Sequence, residues 1–137
     1  MQVRRKIGAA AAAAALAVPA LVVASGPASA AAPQFAHIAI QPSLEHPGYY
    51  EVYVYGHYNT SALTSTVGMR LKGDDPVFND DLGVSRTGQA VYGDFSLYVL
   101  VSGDTLDEDW DGRDEIFATV SSSTGFRTST ENWNQHF

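Results

Sequence analysis

The sequence predicts an all-β protein: a single antiparallel β-sandwich of about seven short strands behind a cleaved leader. Three observations carry that expectation. Apolar and polar residues alternate with a period of two in several runs, Tyr49–Tyr58 and Phe95–Val101 most clearly. Clusters of Gly, Pro, Asn, Asp and Ser punctuate those runs. No stretch after the leader shows a helical period, and repeated short strands between turn signals read as a sandwich.

The N-terminus reads as a secretory signal peptide, residues 1–30. Arg4, Arg5 and Lys6 form a positive start, Ile7–Ala24 is rich in Ala, Val and Leu, and Ala28-Ser29-Ala30 is a small-residue cleavage pattern. Cleavage after Ala32 fits nearly as well. Residues 31–137 then form the one remaining domain, long enough for a single core. No second apolar segment of membrane length follows, so the expected mature chain is secreted and has no transmembrane segment.

Phe35–Ile40 opens the domain as a strand, with Ala36, Ile38 and Ile40 on one face. Gln41–Gly48 contains Pro42, Pro47 and Gly48 and reads as a loop. In Tyr49–Tyr58, Tyr50, Val52 and Val54 face the core. Tyr49, Glu51, Tyr53, Tyr55 and His57 face outward, an aromatic row that suits cross-strand packing or a binding platform for sugar or peptide. Asn59–Ser65 is a polar turn. Thr66–Lys72 alternates again, with Val67, Met69 and Leu71 inward. An acidic segment, Gly73–Asp81, follows. Leu82–Arg86 reads as a short strand and Thr87–Asp94 as a hairpin region holding Gly88 and Gly93. Phe95–Val101 is a strand whose second face also carries Tyr98 and Leu100, so burial on both sides is expected. Glu115–Ser121 and Phe126–Thr130 complete the strands, and Trp133 and Phe137 pin the tail.

Charge narrows the function. The full chain holds 8 Lys and Arg against 15 Asp and Glu, with no cysteine. Three of the basic residues lie in the leader, so the domain keeps five cations against fifteen acids, a net charge of −10. That balance disfavours nucleic acid and bare anionic membranes as partners and favours divalent cations. Lacking disulfides, a secreted domain of this size rests on its core or on a metal.

The acids concentrate between Asp104 and Glu115, where seven carboxylates accompany one cation, Arg113. Asp107-x-Asp109-x-Asp111-Gly112 is the first half of a calcium loop: carboxylates on alternate residues converge on a hard cation when a Gly lets the backbone curl. The twelfth position is Ala118 and the flanks read as strands, so an EF-hand is excluded. The expected ligands of one calcium ion are Asp107, Asp109, Asp111 and Asp114, with Glu115 as a further candidate. Asp74, Asp75, Asp80 and Asp81 are a second, weaker set. Trp110, within the loop, reads either as an anchor for a partner or as a ring folded back on the sheet.

Asp107–Ala118 resembles the third calcium loop of the C-two family, the calcium-dependent lipid-binding β-sandwiches, whose loop runs D-x-D-x-x-G-x-D/N-D/E into a strand. Asp75-Pro76-Val77-Phe78-Asn79-Asp80 is similar to that family's N-P-V-F-N-E segment. The resemblance covers about twenty residues in the family's order. It implies ligation by Asp107, Asp109 and Asp114. It carries no residue over for the family's first calcium loop, because Ala31–Gly73 contains no Asp.

Catalysis is not expected. His37, His46, His57 and His136 are scattered, with no H-E-x-x-H, no G-x-S-x-G and no cysteine nucleophile. The sequence therefore points to a secreted, non-catalytic binding module with a calcium-stabilised acidic loop, bridging to an extracellular protein, lipid or cell-envelope partner. The alternatives are a metal-independent protein-binding or inhibitor domain, an adhesion module using the tyrosine face, and, with least support, a small hydrolase.

Overall fold

The computed structural model describes residues 31–74, 79–107 and 114–137. The expected leader, Asp75, and the segment holding Asp109, Trp110 and Asp111 lie outside the described residues. Eight strands and one helical turn follow in order: β1 (Phe35–Pro42), β2 (Tyr49–His57), β3 (Thr64–Asp74), β4 (Asn79–Val91), β5 (Asp94–Ser102), α1 (Gly103–Leu106), β6 (Asp114–Ser122), β7 (Arg127–Ser129) and β8 (Trp133–Gln135). All pairings are antiparallel, as expected of an all-β chain. The strands form one sheet in the order β1-β2-β5-β4-β3-β6-β7, with β8 also on β6.

The alternation seen in the sequence sets the core. Ala36, Ile38 and Ile40 of β1, Val52 and Val54 of β2, Val67, Met69 and Leu71 of β3, and Ile116, Ala118 and Val120 of β6 are all buried. Each fully buried Val, Leu or Ile contributes about 1.5–3 kcal/mol relative to exposure. In β5, Phe95, Leu97 and Val101 are buried and Val99 and Leu100 half-buried, whereas Tyr98 is exposed. Burial of β5 on both sides, as its composition suggests, is thus corrected at Tyr98.

The stretch 79–91 is also corrected. An acidic segment, a short strand and a hairpin region reaching Asp94 are expected there; a single 13-residue strand, β4, runs through to Val91, and the hairpin turn lies within the expected region at Tyr92–Gly93. Gly88 reads as a turn signal and is a close-approach residue instead. A side chain there would meet the Leu97 side chain across the core. The turn itself is confined to Tyr92 and Gly93, both at positive φ (50° and 85°), which is the two-residue hairpin geometry. β4 and β5 then part at once: Val91–Asp94 is their one register pair.

The opposite edge is closed by side chains. β7 and β8 lie in succession along β6, interrupted at Thr130–Asn132. At the interruption the Ala118 N–H donates to Thr130 Oγ1, and the Thr130 N–H donates to the Ala118 carbonyl, both at 2.9 Å. The hydroxyl replaces a strand carbonyl, and the chain bulges. Glu131 is thereby turned toward β1, where its carboxylate accepts from His37 Nδ1 at 3.1 and 3.2 Å. Burial opposes the ionised form of Glu131, but hydrogen bonds from its own N–H, from His37 and from the Ile38 N–H outweigh it and hold its pKa below the ordinary value.

A lowered folded-state pKa stabilises the fold above the unfolded value and ceases to do so as pH falls through the folded one. Glu131→Gln is therefore expected to cost less than about 1 kcal/mol at neutral pH, because both side chains of the pair are half exposed. Urea melts of variant and wild type should converge in acid below 4.5, the ordinary glutamate value. A gap that stays constant into acid would remove the ionic role of Glu131.

The tail is anchored as expected. Trp133 and Phe137 pack on the core, and the Phe137 ring meets Tyr50 edge-on at 5.0 Å.

Candidate metal centre

Topology brings the two acidic segments to one end of the sheet. β3 ends and β4 begins there, where Asp74 pairs with Asn79. β5 ends there at Ser102, opposite Tyr49. β6 begins there, with Gly73 opposite Ile116 and Asp114 opposite Gln135. The β1–β2 connection lies at the same end, and the Gly103 N–H donates to the Gly48 carbonyl at 2.8 Å. Glu45, Asp74, Asp80, Asp81, Asp104, Asp107, Asp114 and Glu115 consequently share one rim of the molecule.

The segment that opens at Gly103 begins as a single helical turn. Ser102 Oγ and Thr105 Oγ1 are 2.8 Å apart, and the Asp107 N–H closes the turn on the Gly103 carbonyl at 2.8 Å. Leu106 is the reason the turn holds its place: it is 0% exposed and belongs to the core cluster. From residue order alone this stretch is an acidic loop in which Leu106 has no evident role. The signal available was one large apolar residue with no alternation around it.

Of the expected ligands, Asp107 is exposed at the end of α1, Asp114 is buried (2% exposed) at the first position of β6, and Glu115 beside it is exposed. Asp109 and Asp111 lie outside the described residues. Asp107 and Asp114 thus bracket the segment that holds the other two. Among the described residues no three His, Asp or Glu side chains converge on a common point.

Two members of the second acidic set, Asp74 and Asp81, are engaged within the protein. Asp81 Oδ1 accepts from the Gly83 N–H at 3.0 Å, and Oδ2 accepts from Arg70 at 2.7 Å. Those two interactions, the Gly83 bond first, hold its pKa below the ordinary aspartate value. Asp74 accepts from Asn132 Nδ2. Asp81 therefore ties β4 to β3, and Asp74 ties the end of β3 to the tail.

Among the described residues no helix is long and apolar enough to cross a membrane. No family model, curated protein or solved structure matches the chain.

Proposed function

We propose that this protein is a secreted, non-catalytic binding module whose acidic rim is held by calcium. Asp107, Asp109, Asp111 and Asp114 are the proposed ligands and Glu115 an auxiliary one. The observation that carries this reading is the placement of Asp107 and Asp114. They end α1 and begin β6 on a rim already crowded with carboxylates, so the six residues between them, with three further acids, start and finish in strong negative potential. A hard divalent cation taking six to eight oxygens offsets that repulsion. The alternate spacing of Asp107, Asp109 and Asp111 and the resemblance to the C-two calcium loop support calcium over a solvated loop. The single Val91–Asp94 pair between β4 and β5 supports reading the sheet as two faces packed as a sandwich. The Arg4–Ala30 pattern supports export with cleavage after Ala30 or Ala32.

Calorimetric titration of the leader-free chain with calcium, paired with a thermal melt, tests this reading. Binding to the folded form alone should stabilise by about 2.7 kcal/mol at a hundredfold excess over Kd. Asp109→Ala combined with Asp111→Ala should abolish both the heat and the stabilisation. Absence of both responses at millimolar calcium in the unmutated chain would leave a metal-independent binding domain.

A further inference from the structure

The outer face of β1, β2 and β5 carries a row of rings that the core does not use. Tyr98 of β5 lies 5.2 Å from Tyr53 of β2, centroid to centroid. His37 of β1 stands 5.8 Å from Tyr55 and 5.2 Å from Phe35. Register explains the row: Tyr53 is opposite Tyr98, and Tyr55 is opposite His37. Tyr55 and Tyr98 are each 43% exposed, although ring–ring contact on a sheet usually serves to hide such surface.

Hydrogen-bonding groups border the rings. Glu51 accepts from Gln41 Nε2 at 2.8 Å and from Tyr53 Oη at 3.1 Å, and these bonds hold its pKa below the ordinary value. Beside Glu51 an open recess of about 450 Å³ is lined by Gln41, Pro42, Leu44, Glu45 and Glu51. Leu44 is 97% exposed at its lip.

Charge selects the occupant. β1, β2 and β5 contain no Lys or Arg. The two histidines on this face already engage carboxylates, His37 with Glu131 and His57 with Asp94 at 2.7 Å. Polyanions find no cation here. The surface offers flat rings and ionised acceptors, which suit a ligand with an apolar C–H face and a periphery of hydroxyl donors.

We infer that this face binds a neutral polysaccharide, its sugar rings stacking on Tyr55, Tyr53 and Tyr98 and its hydroxyls donating to Glu51 at the recess. None of the residues of this face or its recess is a proposed calcium ligand, so the inference does not rest on that reading.

The test is retention of the leader-free chain on insoluble cellulose, chitin and xylan, with dextran sulfate as the anionic comparator. Each is measured with and without chelator, well below the melting temperature of the chelated protein. Retention on at least one neutral polymer is expected, unchanged by chelator, and soluble fragments of that polymer should compete. Tyr55→Ala and Tyr98→Ala are each expected to weaken retention about tenfold or more, the equivalent of at least ~1.4 kcal/mol. Their circular dichroism and melting should stay near wild type, since both side chains are exposed. Glu51→Gln should weaken binding less than either. Failure to bind any neutral polymer, binding indifferent to both tyrosines, binding lost with chelator, or binding confined to dextran sulfate would each overturn the inference.

Discussion

Gly93→Ala is expected to lower the melting temperature by about 15 °C or more. Gly93 occupies the left-handed region at φ 85° in the two-residue turn that joins β4 to β5. A side chain there carries about 1–2 kcal/mol of backbone strain. An added Cβ would also overlap the carbonyl of Tyr58, a main-chain atom with no rotamer to change. The Gly93 carbonyl accepts from the Tyr58 N–H at 3.1 Å, so the two segments cannot part without breaking that bond. Forced overpacking adds about 1–3 kcal/mol. Tyr58 is itself fully buried and stacked on Phe126 at 4.8 Å, so displacement would spread into the core. Gly125→Ala is the control. Gly125 has a similar φ of 94° but open space around it, and should cost only the strain. Equal losses in the two variants would show that the Tyr58 contact has no energetic weight.

Leu106→Ala is expected to cost about 2–5 kcal/mol in urea denaturation, the range for emptying a fully buried leucine site. The effect should exceed that of Asp104→Ala or Asp107→Ala, because Leu106 is wholly enclosed while both carboxylates are exposed. Leu106 is the apolar peg that fixes where the acidic connection leaves β5. A loss below about 0.5 kcal/mol, typical of a surface site, would mean that the helical turn is held by its hydrogen bonds alone.

The strands with strict alternation were legible from residue types. In the central parts of β1, β2, β3 and β6 (Ala36–Ile40, Tyr50–Val54, Val67–Leu71 and Ile116–Val120) every second residue is apolar, and a one-residue slip would expose most of that set, so pattern and register agree. β4 was not legible. Its sequence mixes Gly83, Gly88 and polar residues, and its continuity comes from pairing with β3 along nearly its whole length. Gly88 resembles punctuation until Leu97 is seen across from it. The closure of the sheet was likewise hidden: Thr130 reads as the end of a strand and Glu131 as the start of the tail, and only the neighbouring Ala118 and His37 give them a purpose. The candidate site divides the same way. The spacing of Asp107, Asp109 and Asp111 was visible at once, whereas the engagement of Asp81 by Arg70 and Gly83 was not.

Residue order alone determined that this chain builds antiparallel strands around an aliphatic core and that its carboxylates crowd into two short segments, because period and charge are local properties. The tertiary structure decided that both segments arrive at one rim, that Leu106 is enclosed there, and that the tyrosine row gathers on a face without Lys or Arg. Those outcomes depend on which strands pair, and pairing joins residues tens of positions apart whose attraction no local pattern records.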